Sequence, residues 1–452
     1  MNLTAVAMGL AGLVGLIWAG LYLAGLIKRW GLLVPYALML MASSMSLPID
    51  WAGNVLRTAW LPLQQRRSTI FLIAGTAAMM MVLAQLRRLR GKPVSLTLVV
   101  FVVMGFYSSI LRLHHEGMGP GFESIVYTSM TLVPLILVVP ILMDTPRDVR
   151  GLLRCVLLVN LAWIGMCAVQ FVANSSYLTL GNQFRFVGMT SNPQHAGVML
   201  SFYTVTVLWL LLNDPKTAFR ALYVIALGIN LLLLAWTGSR TGIGMFAIGS
   251  AGVLYTRLGR AVLLMPVALV LAYVGFKIIL SVTGMEIGVD RIASTENTRG
   301  YAWWKLYTTG MENPLFGVGL EEAEKSENSW LYAFAAFGLG MLSLTLIATF
   351  SAGIQCLRAI RVRSSLELED RRVLDLAVGA IAMYFAGALL EGYMVSRVTP
   401  ALCFIMIYAN IASFMVRHAR HGLGEQNDHD YEYEYGSYEG EHPDGSAFPA
   451  PA

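Results

Sequence analysis

Apolar segments of about 17 to 25 residues recur along this chain of 452 residues. A helix needs roughly 20 apolar residues to cross the hydrocarbon core of a bilayer, so each segment is long enough to span a membrane. With 56% hydrophobic and only 13% charged residues, the chain has more apolar side chains than the core of one soluble globule can hide. The sequence therefore predicts an all-α, polytopic membrane helical bundle.

We predict about 11 to 13 transmembrane helices from these segments. These helices place residues 1–420 in one membrane domain, and residues 421–452 follow it as a tail. The candidate spans, in chain order, are residues 3–27, 31–47, 69–86, 94–111, 124–143, 152–173, 195–213, 221–237, 241–256, 261–282, 329–354, 373–395 and 400–416.

Clusters of lysine and arginine fall on every second connection between the predicted spans. Short cytoplasmic loops carry such an excess, so these connections are predicted to lie in the cytoplasm. The alternate connections, among them 174–194, 237–242 and 283–328, then face the periplasm or the exterior. The basic clusters are at residues 28–29, 87–92, 147–154, 216–220, 257–260, 358–372 and 417–420.

Three arginines near the N-terminus do not follow this rule. Arg57, Arg66 and Arg67 would lie on the outer side. An amphipathic segment at residues 51–65, lying on the membrane surface, would explain their position. The sidedness of the N-terminal helices therefore stays open.

The connection at residues 283–328 is a large polar loop in an otherwise apolar chain. A multispanning protein keeps most connections short, and binding and catalytic residues concentrate in long loops. This loop contains Arg299, the pair Trp303 and Trp304, and a glycine-containing turn sequence at 313–319. We therefore expect recognition or catalysis here.

The C-terminal tail, residues 421–452, contains eight Asp or Glu residues and no Lys or Arg. Such a segment cannot bury a core and is predicted to be disordered and cytoplasmic. It is either a solvated acidic extension or a docking segment for a partner, such as a chain-length regulator or a tyrosine kinase. Because the overall formal charge is +5, the remainder of the chain carries +13, and most of that excess follows from topology and requires no nucleic-acid partner.

Three arginines in the outer connections stand among small polar residues: Arg185, Arg240 and Arg299. A guanidinium near the membrane is costly to desolvate and usually has an anionic partner. Each arginine could pair with a carboxylate, such as Glu296 or Glu327, or with lipid phosphates. Because the guanidinium fork matches phosphate oxygens, three arginines on one side favour a shared diphosphate ligand.

Three groups of motifs follow one another between residues 180 and 345. They are Arg185-Phe186-Val187-Gly188 with Asn192-Pro193; Thr237-Gly238-Ser239-Arg240-Thr241-Gly242; and Arg299, Trp303, Asn313-Pro314-Leu315-Phe316-Gly317-Val318-Gly319, Glu327-Asn328-Ser329-Trp330-Leu331 and Phe337-Gly338-Leu339-Gly340. In this order they resemble the bacterial O-antigen ligase and O-unit (exopolysaccharide) polymerase family.

The resemblance implies an inverting glycosyltransferase of the bacterial inner membrane that needs no metal and no other cofactor. Such enzymes take a glycan from undecaprenyl diphosphate on the periplasmic face and transfer it to an acceptor hydroxyl. The implied partners are therefore the undecaprenyl-diphosphate-linked glycan and membrane lipids. Arginines matching Arg185 and Arg240 are expected to hold the diphosphate and to neutralise the charge that develops as the sugar–phosphate bond breaks.

The chain departs from the family pattern at the end of the large loop. The family has a His-Asn pair there, and its histidine is proposed to orient or deprotonate the acceptor hydroxyl, whereas this chain has Glu327-Asn328. Glu327 is therefore the leading candidate for the catalytic base, and His195 is the competing one. The alternatives are a helix cap or an ion pair with Arg299 or Lys325 for Glu327, and a structural hydrogen bond for His195.

Aromatic residues of the loop are candidates for glycan binding. Trp303, Trp304 and Trp330 could stack on sugar faces, with Asn328 beside them as a hydrogen-bonding residue. Interfacial aromatic belts use the same residue types, so this alternative stays open.

The absence of the histidine favours a polymerase of lipid-linked repeat units, for an exopolysaccharide or an O-antigen. A ligase that transfers the glycan to lipid A core is the first alternative. A lipid-linked glycan transporter or flippase is the second. Convergence of Arg185, Arg240 and Glu327 on one outward-open cavity would favour an enzyme, whereas a polar path through both faces would favour a carrier.

Overall fold

A computed structural model describes residues 29–47, 55–56, 58–179, 185–264, 274, 299–323, 327–395 and 398–436, the last sixteen of them by their backbone. Several sequence predictions lie outside these residues. They are the span 3–27, residues 51–54 of the predicted amphipathic segment, Arg57, most of the span 261–282, residues 283–298 of the large loop, Glu296, Lys325 and the end of the tail, 437–452.

The described residues form a bundle of α-helices, with no β-strand among them. Labelled in chain order, the long helices are α1 (Leu33–Ser43), α2 (Arg67–Ala84), α3 (Leu96–His115), α4 (Met118–Leu142), α5 (Pro146–Asn174), α6 (Pro193–Asn213), α7 (Arg220–Trp236), α8 (Arg240–Leu258), α9 (Arg299–Glu312), α10 (Ser329–Val362), α11 (Leu368–Ala388) and α12 (Pro400–Gly436).

Eight helices in the described part of the chain are long and apolar enough to cross a membrane: α2 to α7, α10 and α12. Helices α8 and α11 have similar lengths but carry more polar residues. The predicted fold class, an all-α polytopic membrane bundle, is therefore confirmed, and the protein is a multi-pass membrane protein.

One end of the bundle carries the connections whose lysines and arginines predict a cytoplasmic position. Ion pairs tie neighbouring helices together there. Three of the pairs join connections or helix ends that are distant in sequence, which shows that these chain segments meet at the same end, and the fourth, Arg363–Asp375, joins the end of α10 to the start of α11. The pairs are Lys92–Asp144, Arg150–Glu369, Arg154–Asp214 and Arg363–Asp375. We refer to this end as the basic end.

Close contacts between glycines bring α6, α8 and α11 together. A Cβ atom on Gly242 of α8 would lie 2.8 Å from the carbonyl carbon of Gly197 on α6, and one on Gly252 would lie 2.6 Å from the Cα atom of Gly379 on α11. Small residues at such crossings let helix backbones approach closely inside a membrane. This packing places the first turns of α6 and α8 side by side, at the end opposite the basic end.

Helix α10 is broken at Gly338, whose φ of 74° and ψ of −168° are not helical. The turn that follows α9 packs into this break, where the Leu339 backbone N–H donates to the Pro314 carbonyl at 2.8 Å. The chain also folds back at the break, because the Trp330 indole N–H reaches Thr349 Oγ1 at 3.2 Å. The described part of the large loop is thus a helix and a turn fixed against α10.

Replacing Gly338 with alanine is expected to destabilise the protein by about 2 to 4 kcal/mol. The substitution forces a side chain into a positive-φ position, and its Cβ would lie 2.3 Å from the Leu315 carbonyl oxygen. Gly353→Ala on the same helix is the matched control, because nothing lies within 4 Å of a Cβ there. The midpoint temperature of thermal unfolding in detergent should fall for Gly338→Ala and not for Gly353→Ala. Equal midpoints in the two variants would contradict the break in α10 at Gly338.

Candidate functional site

The three predicted diphosphate-binding arginines line one small cavity together with Glu327. The cavity lies at the end of the bundle opposite the basic end and has about 360 Å³ of empty space, which includes the part that opens to solvent. It lies where α6, α8, α9 and the start of α10 meet. Among the residues that the structure describes, it is lined by Arg185, Gln194, Gly238, Ser239, Arg240, Arg299 and Glu327. We call it the arginine cavity.

Arg185 is held against the turn between α7 and α8. Its Nε–H donates to the Thr237 carbonyl at 2.7 Å, and the residue is only 4% exposed. The next residue is fixed as well, because the Phe186 backbone N–H donates to the Trp236 carbonyl at 3.2 Å. Its aromatic ring packs against that of Trp236. The guanidinium is therefore positioned by buried contacts rather than by a flexible loop.

Arg240 is the first residue of α8, where Ser239 caps the helix. The Ser239 side chain accepts a hydrogen bond from the Gly242 backbone N–H at 3.1 Å. The N-terminus of a helix has a partial positive charge, which adds to the charge of the arginine side chain. This corner of the cavity is therefore suited to an anionic group.

Arg299 begins α9 and is paired with a carboxylate that the sequence analysis did not select. Its Nη2–H donates to Glu391 Oε1 at 3.1 Å and to Thr241 Oγ1 at 2.9 Å, and its Nη1–H donates to the Leu390 carbonyl at 2.9 Å. Thr241 also donates to Glu391 Oε1 at 3.0 Å. Of the alternatives for Arg299, the pair seen is thus with Glu391 and not with Glu327.

Glu391 lies just behind the arginine cavity and is 6% exposed. Burial raises the pKa of its carboxyl to about 7, although Arg299 and Thr241 lower it and Glu327 raises it further. The predicted span 373–395 is too long, because α11 ends at Ala388 and the chain turns there to bury this carboxylate. The available signal was a carboxylate well inside a predicted apolar segment, which marks a functional candidate.

Glu327 faces the arginine cavity without a hydrogen-bond partner for its buried Oε2 atom among the described residues. It is not the helix cap, because the Asn328 side chain accepts from the backbone N–H groups of Trp330 and Leu331, both at 3.0 Å. An unpaired buried carboxylate oxygen is costly and suggests a ligand or a catalytic role.

His195 lines a different cavity, next to the first. This second cavity has about 900 Å³ of empty space, which includes the part that opens to solvent, and it combines Arg67 and several hydroxyl groups with apolar walls. The His195 Nδ1 atom lies 3.2 Å from Ser191 Oγ. Asn192 caps α6, because its side-chain oxygen accepts a hydrogen bond from the His195 backbone N–H. Gln194 lines the arginine cavity while His195 lines the second one, so the first turn of α6 separates the two cavities.

The four predicted glycan-binding residues occupy different places. Trp304 is 63% exposed and packs against Tyr307, and the Trp303 indole N–H donates to the Glu327 carbonyl at 3.4 Å. Trp330 packs against Thr349, and Asn328 caps α10 and donates to the Leu389 carbonyl. Neither Trp330 nor Asn328 lines the arginine cavity.

Comparison with known proteins adds no identification. No protein-family model matches this chain, and no curated protein matches it.

Replacing Glu391 with glutamine is expected to flatten the pH dependence of stability. Because the folded pKa lies above the ordinary value of 4.5, protonation of Glu391 favours the folded state. That contribution is complete at low pH and is lost as the pH rises from about 4.5 through about 7. Wild-type protein should therefore lose thermal stability between about pH 5 and about pH 8, and the variant should lose less.

Glu369→Gln is the control for this measurement, because Glu369 is a carboxylate at the basic end, paired with Arg150 and far from the cavity. It should keep the wild-type dependence on pH. The same dependence in Glu391→Gln and in wild type would contradict the assignment of the titration to Glu391.

Proposed function

We propose that the protein is an inverting membrane glycosyltransferase that takes a glycan from a polyprenyl diphosphate and transfers it to an acceptor hydroxyl. The observation that carries the proposal is the convergence of Arg185, Arg240 and Arg299, with Glu327, on one cavity. Three guanidinium groups and a helix N-terminus form a site for a group with several negative charges, and a diphosphate has that chemistry. The motif resemblance supports undecaprenyl diphosphate of the bacterial inner membrane as the carrier.

The arginine cavity would hold the donor diphosphate, and the second cavity would hold the acceptor. The acceptor oxygen attacks the anomeric carbon and forms the new glycosidic bond, while the bond from that carbon to the diphosphate oxygen breaks. The electron pair moves to the departing diphosphate, whose charge the arginines neutralise. Glu327 takes the proton of the acceptor hydroxyl, because its Oε2 atom has no competing partner among the described residues.

The two candidate bases have different places in this scheme. Glu327 shares a cavity with the arginines, so it is close to the bond that breaks. His195 shares its cavity with Arg67 and hydroxyl groups, which suits binding of a polar acceptor. We therefore assign the base to Glu327 and acceptor positioning to His195.

The favoured reaction is polymerisation of lipid-linked repeat units, with ligation to lipid A core as the alternative. A transporter is less well supported, because the polar residues of interest lie at one end of the bundle. At the basic end, the described carboxylates of Asp144, Asp214 and Asp375 are engaged in ion pairs rather than facing a polar path.

The test is transfer by the purified protein in liposomes that contain an undecaprenyl-diphosphate oligosaccharide, with products resolved on a gel. A ladder of increasing length supports a polymerase. Transfer only after lipid A core is added supports a ligase. No product under either condition would contradict the proposal and favour a transporter.

A further inference from the structure

We propose, on the basis of the proposed function, that Glu391 is a positioning residue that limits how tightly the arginine cavity holds a diphosphate, so that the diphosphate product can leave. Glu391 is not among the residues that line the arginine cavity, but it contacts Arg299, which is. It therefore acts on the ligand through Arg299 and through its own charge, rather than by direct contact.

Transfer leaves a product that binds cations more strongly than the donor does. The donor diphosphate is bonded to the sugar at one end and to the carrier lipid at the other. Once the sugar has left, the freed terminal oxygen adds up to one further negative charge near neutral pH. Three arginines suited to the donor would hold this product more tightly still, and slow product release limits turnover in many enzymes.

Hydrogen bonds hold the Glu391 side chain and backbone in place behind the cavity. Its Oε1 atom accepts from Arg299 Nη2 at 3.1 Å and from Thr241 Oγ1 at 3.0 Å, and Thr241 Oγ1 accepts from Arg299 Nη2 at 2.9 Å. The backbone is fixed as well, because the Ser329 hydroxyl donates to the Glu391 carbonyl at 2.7 Å. The carboxylate is thus tied to the first turns of α8, α9 and α10.

The charge of Glu391 opposes an anion in the cavity. When the carboxylate is ionised, it offsets the charge of Arg299, so the ion pair attracts a diphosphate less than Arg299 alone would. When the carboxyl is neutral, Glu391 no longer offsets that charge. The difference is larger here than at an exposed surface, because Glu391 is only 6% exposed and water screens its charge poorly.

The Glu391 carboxyl can change its charge near neutral pH. Burial raises its pKa to about 7, Arg299 on α9 and the Thr241 hydroxyl on α8 lower it, and Glu327 before α10 raises it. Tyr393 is a further titratable group on the same segment that interacts with it electrostatically. A bound diphosphate adds negative charge to the cavity that Glu327 faces, so it raises the pKa further. Glu391 therefore takes up a proton as a diphosphate binds and loses it as the diphosphate leaves.

The test compares equilibrium binding of undecaprenyl diphosphate by wild type and Glu391→Gln, both full-length in detergent. Glutamine keeps an oxygen that accepts from Arg299 and Thr241 but has no charge. At about pH 8.5 the variant should bind about tenfold more tightly than wild type, and at most about 30-fold, because wild type can instead take up a proton. At about pH 5.5 both side chains are neutral, and the two proteins should bind equally. Each comparison is made at one pH, so ionisation of the lipid itself cancels.

Glu369→Gln is the matched control, because it removes the same charge at the basic end, where Glu369 pairs with Arg150. It should bind as wild type does at both pH values. Weaker binding by Glu391→Gln at the higher pH, or a ratio to wild type that does not change with pH, would overturn the role of the Glu391 charge and leave the proposed function standing. No binding of the diphosphate by either protein would overturn both.

A measurement on wild type alone covers the case in which Glu391→Gln does not fold. Calorimetric titration with an undecaprenyl-diphosphate oligosaccharide, in two buffers of different ionisation enthalpy, counts the protons taken up on binding. The diphosphate of this ligand has no oxygen that titrates near neutral pH. Wild type should take up about half a proton per bound ligand at about pH 7.5. Binding without proton uptake would overturn the proposal.

Discussion

Replacing Arg240 with alanine is expected to remove nearly all glycan transfer while leaving the protein inserted and folded. Arg240 lies at the N-terminus of α8 and lines the arginine cavity, where a diphosphate would gain negative charge as the sugar leaves. Losing one fixed cation in a site sheltered from water should slow transfer about 100-fold to 1,000-fold. Transfer is measured in liposomes, and folding by the midpoint of thermal unfolding.

Arg257→Ala is the matched control, because Arg257 belongs to the same helix but lies at its other end. Its guanidinium donates to the Leu212 carbonyl at 2.5 Å, at the basic end. This variant should transfer glycan at nearly the wild-type rate. Comparable losses in both variants would remove the specific role of Arg240, and normal product from Arg240→Ala would remove it entirely.

Exchanging Glu327 for glutamine is expected to slow transfer by about 100-fold to 10,000-fold, because general base catalysis contributes that much. Glutamine keeps the size and polarity of the side chain but cannot take the proton of the acceptor hydroxyl. The donor diphosphate should still bind, since the three arginines remain. Single-turnover transfer and donor binding, measured on the same preparation, separate the two effects.

His195→Gln provides the comparison for Glu327. If His195 positions the acceptor, this variant should raise the acceptor concentration needed for half-maximal transfer and leave the rate at saturation close to that of wild type. The opposite pattern, with unchanged turnover in Glu327→Gln and a large loss of turnover in His195→Gln, would assign the base to His195.

Hydrophobic patterning was sufficient to predict the fold class. Predicted spans such as 195–213 and 221–237 correspond within a few residues to α6 and α7. The prediction was poorer where local features override the apolar pattern. Helix α10 extends to Val362, and it is broken at Gly338 because the turn after α9 packs there.

The candidate site could be predicted in part, because its cations stand among small polar residues in separate connections. Arg185, Arg240 and Arg299 were selected on this basis, and they line one cavity. Their convergence depends on the close packing of α6, α8 and α11, and no local sequence pattern predicts that packing. Glu391 was missed because its apolar neighbours made residues 373–395 resemble one continuous span.

The alternatives for Glu327 also required the three-dimensional arrangement. Sequence allows Glu327 to cap α10 or to pair with Arg299, and both roles are common for a carboxylate at such a position. In the structure, Asn328 caps the helix and Glu391 pairs with Arg299. Because Asn328 takes the capping role and Glu391 takes the ion pair, the Glu327 side chain faces the cavity.

The most direct test of the arginine cavity is equilibrium binding of undecaprenyl diphosphate compared with undecaprenyl monophosphate, by wild type, Arg240→Ala and Arg257→Ala. We expect wild type and Arg257→Ala to bind the diphosphate at least about tenfold more tightly than the monophosphate, and Arg240→Ala to lose most of this preference. Equal binding of the two lipids by wild type, or the same preference in all three proteins, would contradict a diphosphate site formed by these arginines.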